Sequence, residues 1–86
     1  MATLRLFARA REVAGRSVDT VRPDDSDHET TLTVDDVIAI AVDRYGPDFA
    51  ALLPTCRIWV NGEPVPGSTP VGETDEVAVL PPVSGG

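Results

Sequence analysis

Thr33 to Tyr45 is the one stretch of this 86-residue chain with a sustained helical period, and the segments around it alternate with a period of two. Val34, Val37, Ile38, Ala41, Val42 and Tyr45 recur at i, i+3, i+4, i+7, i+8 and i+11, so a helix gathers them on one apolar face. Burying that face contributes on the order of 10 kcal/mol before entropy, at about 1.5–3 kcal/mol for each large side chain. The stripe therefore reads as core rather than as a cofactor groove. Thr33 suits the N-cap, Asp35 and Asp36 suit the positive end of the helix dipole, and Gly46-Pro47 stops the helix. One such helix has to bury its stripe on another layer, and the alternating segments supply a sheet.

Thr3 to Ala10 places Leu4, Leu6 and Ala8 on one face and Arg5, Phe7 and Arg9 on the other, which predicts a strand. Arg11 to Ala14 reads as a turn of helix broken by Gly15, and Ser17 to Val21 as a second strand paired back in a hairpin. After the main helix, Asp48 to Leu53 predicts a short helical segment closed by Pro54. Cys56 to Val60 predicts a strand with Ile58 and Val60 on one face and Arg57 and Trp59 on the other. Asn61-Gly62 is a two-residue hairpin turn, because both residues tolerate positive φ. Glu63 to Val65 returns as a short edge strand, and Glu76 to Leu80 is the last strand. The order β-β-α-(short helix)-β-β-β is of the α+β class, with one main helix packed on one face of a mixed sheet and a right-handed crossover.

Composition narrows the function classes. The net charge is −7, from 14 acidic and 7 basic residues, which argues against phosphate-dependent binding of nucleic acid and against an anionic membrane surface. A basic partner protein is the natural complement. All seven basic residues are arginine, so no side-chain amine exists for a Schiff base or an isopeptide acceptor. Five of them, Arg5, Arg9, Arg11, Arg16 and Arg22, fall in the first quarter; a solvated strand face or a contact patch accounts for that clustering. Cys56 is the only cysteine and reads as a small buried residue. Neither a signal peptide nor a run of roughly 18 apolar residues is seen, so the expected location is the cytoplasm. The acidic loop Asp24-Asp25-Ser26-Asp27-His28-Glu29 lacks the glycine and ligand spacing of an EF-hand, and His28 has no cysteine-histidine set around it, so no metal site is expected.

No catalytic set accompanies these elements: no serine-histidine-aspartate arrangement, no GxxxxGK[ST] and no GxGxxG. The remaining chemistry lies in the ending Pro81-Pro82-Val83-Ser84-Gly85-Gly86, which follows the apolar run Val77-Ala78-Val79-Leu80. Two prolines end strand pairing, and six extended residues reach at most about 20 Å, at roughly 3.3–3.6 Å each. The expectation is a folded domain over 1–80 and a slim reactive tail over 81–86 with a free α-carboxylate on Gly86. A frayed end is the plain alternative for Gly85-Gly86 by themselves. A free carboxylate is a poor electrophile, so it must be activated by a second protein. Without Cβ atoms Gly85 and Gly86 can thread a narrow channel to a nucleotide.

Three segments carry a resemblance: Leu4 to Gly15 (LRLFARAREVAG), Val60 to Val65 (VNGEPV) and Asp75 to Gly86 (DEVAVLPPVSGG). Together they resemble the small, sulfur-carrying subunit of molybdopterin synthase, and the likeness covers nearly the whole chain. The resemblance implies a β-grasp, ubiquitin-like fold. It implies that Gly86 is adenylated by an E1-like enzyme that uses ATP, then thiocarboxylated with sulfur from a sulfur donor protein. It further implies that the tail enters the large catalytic subunit, in a heterotetramer, where sulfur passes to a pyranopterin precursor of the molybdenum cofactor. Gly85 and Gly86 match the reacting positions, Pro81, Pro82, Val83 and Ser84 the channel, and Phe7 and Leu80 apolar partner contacts. No bound cofactor is implied, and this chain is a sulfur-donating subunit whose chemistry its partners perform. Pro23 to Thr31 departs from the pattern as an insertion. Two alternatives stay open: a sulfur carrier for thiamine, cysteine or tRNA thiolation, and a ubiquitin-like protein tag or adaptor.

Overall fold

A computed structural model describes residues 2–22 and 32–82. The chain runs β1 (Ala2–Leu6), α1 (Ala8–Ala14), β2 (Val18–Val21), β3 (Leu32–Thr33), α2 (Val34–Tyr45) and α3 (Pro47–Leu52), then a 3-10 turn (Leu53–Thr55). It continues through β4 (Arg57–Val60), β5 (Glu63–Pro64), β6 (Pro70–Val71) and β7 (Glu76–Leu80). The acidic insertion expected from the sequence lies outside the described residues.

Five strands form one mixed sheet in the order β2-β1-β7-β4-β5. β1 and β7 pair in parallel, and the connection between them contains α2, as a crossover requires. Alternation is why both strands can stand in the middle: Leu4, Leu6, Val77 and Val79 turn inward and are at most 1% exposed. The residues between them face the other side of the sheet. β3 and β6 make a second, two-stranded sheet, Leu32 opposite Val71 and Thr33 opposite Pro70. Pairs of two residues leave no period in a sequence, which is why the sequence does not predict this sheet.

α2 starts as its sequence predicts. The Thr33 hydroxyl accepts from the Asp36 amide at 3.2 Å, and the Asp36 carboxylate accepts from the Thr33 amide at 2.9 Å, a reciprocal capping box. The Val34 and Asp35 amides, otherwise without helical acceptors, donate to the carbonyls of Thr69 and Gly67, each at 2.9 Å. The buried face is Val34, Val37, Ile40 and Ala41, while Ile38, Val42 and Tyr45 are only partly covered. Ile40 lies outside the expected stripe: a 3.6-residue period locates the centre of an apolar face, and tertiary packing decides its edges.

The first expected strand is shorter than its alternation. It stops at Leu6; Phe7 is extended (φ −119°, ψ 154°), and Ala8–Ala14 is helical. Ala8 to Ala10 also begin a pattern in which Ala10 is fully buried with Val13 and Ala14 packed on the core, a helical spacing. Arginine, glutamate and alanine are strong helix formers, so the longer helical pattern prevails over the tail of the alternation. Gly15 closes α1 at φ +78°, its amide donating to the Arg11 carbonyl at 2.9 Å.

β2 is pinned to the end of α2 through Asp19. Its carboxylate meets the Arg44 guanidinium at 3.2 Å, the Arg16 guanidinium at 3.5 Å and the Tyr45 hydroxyl, which donates to it. Burial pushes the Asp19 carboxyl up, but the Tyr45 and Thr20 hydrogen bonds and the two guanidiniums outweigh it and hold the group below its ordinary value of 3.8. Burial, together with the bond to the Asp19 carboxylate, raises the Tyr45 phenol. A carboxylate whose pKa falls on folding stabilises the fold above its unfolded pKa and ceases to as pH drops through the folded one. Asp19→Asn is therefore expected to cost about 1–3 kcal/mol at pH 7, in the range of hydrogen bonds to charged groups. The gap from wild type should close below 3.8, the ordinary value, as Asp19 itself protonates. Urea denaturation at neutral and acid pH measures both; an unchanged gap at acid pH would assign the loss to packing.

Candidate functional site

The ending that the sequence marks as the candidate reactive tail is rooted in the centre of the sheet rather than at an edge. β7 is held on both sides: Leu80 stands opposite Arg57 of β4, and the Phe7 amide donates to the Val79 carbonyl at 3.3 Å. At the other end of β7 the Glu76 amide donates to the Asn61 side-chain oxygen at 2.9 Å, and the Asn61 amide nitrogen donates to Asp75 at 2.9 Å. The Asp75 carboxyl, which also accepts from the Gly72 amide at 2.7 Å, is held below the ordinary carboxylate range by these two bonds. Asn61 and Gly62 take φ +51° and +84°, the left-handed pair that the turn requires, and so place Asn61 to make this clamp. Pro81 is buried and Pro82 exposed, so packing continues one residue past the strand. Val83, Ser84, Gly85 and Gly86 lie outside the described residues.

The outer face of the sheet, turned away from the core, presents what alternation leaves there: Arg5, Glu76, Ala78, Leu80, Arg57 and Trp59. Register sets Arg5, Ala78 and Trp59 in one row across β1, β7 and β4. Ala78 contributes only a methyl group at the middle of that row, so the face is concave there. The resulting groove, about 640 Å³, is lined by Phe7, Trp59, Ala78, Leu80, Pro81 and Pro82 among others and ends at the root of the tail. Phe7, 43% exposed, and the half-buried Leu80 are thus brought together with Pro81 and Pro82, four of the residues expected at the site. Arg5 and Glu76 form an exposed ion pair at 2.8 Å beside it.

The sequence places Trp59 on this face but does not single it out for function. The available signal is its position: the chain's sole tryptophan, near an arginine, on the face that a one-layer sheet leaves uncovered. Its indole Nε1 is shielded from solvent and, alone among buried side-chain polar atoms of the described residues, has no hydrogen-bond partner.

Cys56 is half-buried rather than fully buried, because it lies at the junction of the 3-10 turn and β4; its thiol points to the Leu52 carbonyl at 3.4 Å. Burial pushes that thiol up, away from the thiolate that nucleophilic chemistry needs. Among the described residues no group of three or more His, Cys, Asp or Glu side chains is placed to hold a metal, and no helix is long and apolar enough to cross a membrane.

The ThiS family model matches residues 4–86. Among solved structures the chain is similar to SAMP1 from Haloferax volcanii, at 28% identity over 99% of this chain and 98% of that one, with a TM-score of 0.77. It is similar to a Pyrococcus furiosus protein assigned as molybdopterin converting factor, subunit 1, at 25% identity over 95% and 97%, TM-score 0.77. At the level of fold it is also similar to a chain of the BexX/CysO complex from Amycolatopsis orientalis, at 21% identity over all of both chains, TM-score 0.77. No curated protein sequence matches it. The mixed sheet with α2 across it is the α+β architecture that the sequence predicts and the β-grasp fold that its resemblance implies.

Proposed function

The chain belongs to the ThiS family of ubiquitin-like sulfur carriers, and we propose that it carries sulfur for molybdenum cofactor biosynthesis. The observation that carries this reading is the Pro81-Pro82-Val83-Ser84-Gly85-Gly86 sequence set on a strand clamped on both sides at the sheet centre. The similarity to the P. furiosus molybdopterin converting factor subunit supports the destination. In this reading an E1-like enzyme lets the Gly86 carboxylate attack the α-phosphorus of ATP, releasing pyrophosphate and leaving an acyl-adenylate. Hydrosulfide released by a donor protein then adds to the acyl carbon and displaces AMP, giving a thiocarboxylate. The large catalytic subunit of molybdopterin synthase takes the loaded tail and passes its sulfur to the pterin precursor. This chain supplies position: a stiff root, an arm without bulk at its tip, and a docking face. ATP is used by the activating enzyme, and the setting is the cytoplasm.

The test is the intact mass of the protein after incubation with its adenylating enzyme, ATP and a sulfur donor. The expected result is replacement of one oxygen by one sulfur, localised to Gly86 by fragmentation. A mass that never changes while a control carrier loads under the same conditions would overturn the reading.

The similarity to SAMP1, a small archaeal modifier protein, favours a second reading in which the same adenylate is captured by a lysine amine of another protein. The chain has no lysine, so chains of itself through lysine do not form. Conjugates that survive reducing gel conditions, with no thiocarboxylate, would select this reading. Deleting the gene separates destinations within the first: loss of molybdoenzyme activity, against a thiamine, cysteine or tRNA-thiolation defect.

A further inference from the structure

Trp59 holds an N–H that is shielded from water and bonded to nothing, in a protein whose other described buried side-chain polar atoms all have partners. A buried donor left unsatisfied is costly in the free protein and gains most from any state that supplies an acceptor. The indole is only half-buried as a whole and lines the open groove beside Ala78, so there is room for the ring to turn its Nε1 outward. Arg57, exposed on the same strand two residues away and lining the same groove, forms no salt bridge among the described residues. The groove runs to Pro81 and Pro82, so both side chains lie beside the root of the tail.

We propose that Trp59 is the specificity-determining anchor of this face: it turns on docking and donates its Nε1–H to an acceptor on the E1-like adenylating enzyme. That partner surface presents an apolar side chain to the floor over Ala78, a carbonyl or carboxylate oxygen to Trp59, and an acidic side chain to Arg57. The inference rests on the sulfur-carrier reading for the partner's identity and adds the group through which it is chosen. Tryptophan and arginine are the residue types that most often dominate an interface when they sit centrally and lose their water there. Two unused donors on an otherwise acidic chain also discriminate: a partner lacking the matching acceptors leaves them buried and unpaired.

Trp59→Phe tests this, since it keeps an aromatic ring and removes the N–H. The free variant should be as stable as wild type or more so, because an unsatisfied donor is gone. Its KM in adenylation by the E1-like enzyme should rise roughly tenfold with kcat unchanged, the effect of losing one hydrogen bond made in the complex. Because Trp59 is the sole tryptophan, the ¹⁵N-labelled chain has one indole N–H resonance. Titration with unlabelled enzyme should move that resonance downfield as the bond forms. Arg57→Glu should raise KM further, and added salt should lower that KM, because a screened repulsion replaces an attraction. An activated wild type whose Trp59→Phe variant keeps the same KM, or whose indole resonance stays put, overturns this inference and leaves the sulfur-carrier reading intact. A wild type that is never activated overturns both.

Discussion

A chain lacking Gly86 should form no adenylate and accept no sulfur, while melting at the wild-type temperature. The two halves of that expectation come from different parts of the molecule. Among the described residues the last paired is Leu80 and the last buried is Pro81, so no described packing depends on residue 86. The carboxylate, however, moves back by roughly 3.3–3.6 Å when one extended residue is removed. Displacements of about 1 Å at a reacting centre already cost on the order of a hundredfold in rate. A full residue therefore takes the nucleophile out of reach of the α-phosphorus. Gly86→Ala keeps the length and adds a Cβ where the proposed activation brings the tail close to a nucleotide, and a loss of at least about a hundredfold is expected there too. ATP-pyrophosphate exchange measures the first step and intact mass the second. Exchange at the wild-type rate in the truncated chain would show that the working carboxylate is not on Gly86.

The parts of this fold that are legible in the sequence are those in which one local pattern and one tertiary environment agree. β7 shows it: Val77 and Val79 are buried because they alternate, and they alternate within a segment bounded by Asp75 and two prolines. The Asn61-Gly62 turn and the Thr33 cap are legible because few residue types satisfy the backbone at those points, and both are where that chemistry predicts. What is not legible depends on partners far away in sequence. The alternation through Phe7 to Ala10 is compatible with strand or helix, and only the packing of Ala10 and Val13 under the sheet decides for helix. β3 and β6 become a sheet because Leu32 and Val71 happen to meet, not because either dipeptide announces a strand.

The candidate site divides along the same line. A tail motif is local, and Pro81 to Gly86 can be read directly from the order of its residues. The groove is made by register: it exists because Ala78, the smallest side chain on the outer face of β7, falls between Arg5 and Trp59. No window of sequence shows that juxtaposition. The orphaned Nε1 of Trp59 is more hidden still, since an unmet hydrogen bond is a property of all the neighbours at once.

Phe49→Ala is expected to be the most damaging single core substitution. Phe49 is fully buried and is the largest such side chain among the described residues, although it stands in a six-residue helix, α3, that has little stability of its own. Pro47 at the first turn and the Gly46 bend start that helix, and Phe49 is its only fully buried side chain, so the segment is held mainly by this one ring. Removing a buried phenylalanine costs about 3–5 kcal/mol. A domain of this size has of the order of 5–10 kcal/mol in total, and each lost kcal/mol lowers its midpoint by about 4–8 °C. A drop of roughly 15–30 °C is therefore expected, with Phe49→Leu losing far less because volume is largely kept. The damage should reach beyond α3. The Phe49 ring meets Tyr45 edge-on, centroids 5.2 Å apart at 68°, and the Tyr45 hydroxyl is one of the groups that hold Asp19 and so tie β2 to α2. Loosening Tyr45 should weaken that tie, so Asp19→Asn should cost less in a Phe49→Ala background than in wild type. A double-mutant cycle read by urea denaturation measures the coupling. Strict additivity would show that the ring supports α3 alone; a positive coupling would show that one aromatic contact links the short helix, the main helix and the edge of the sheet.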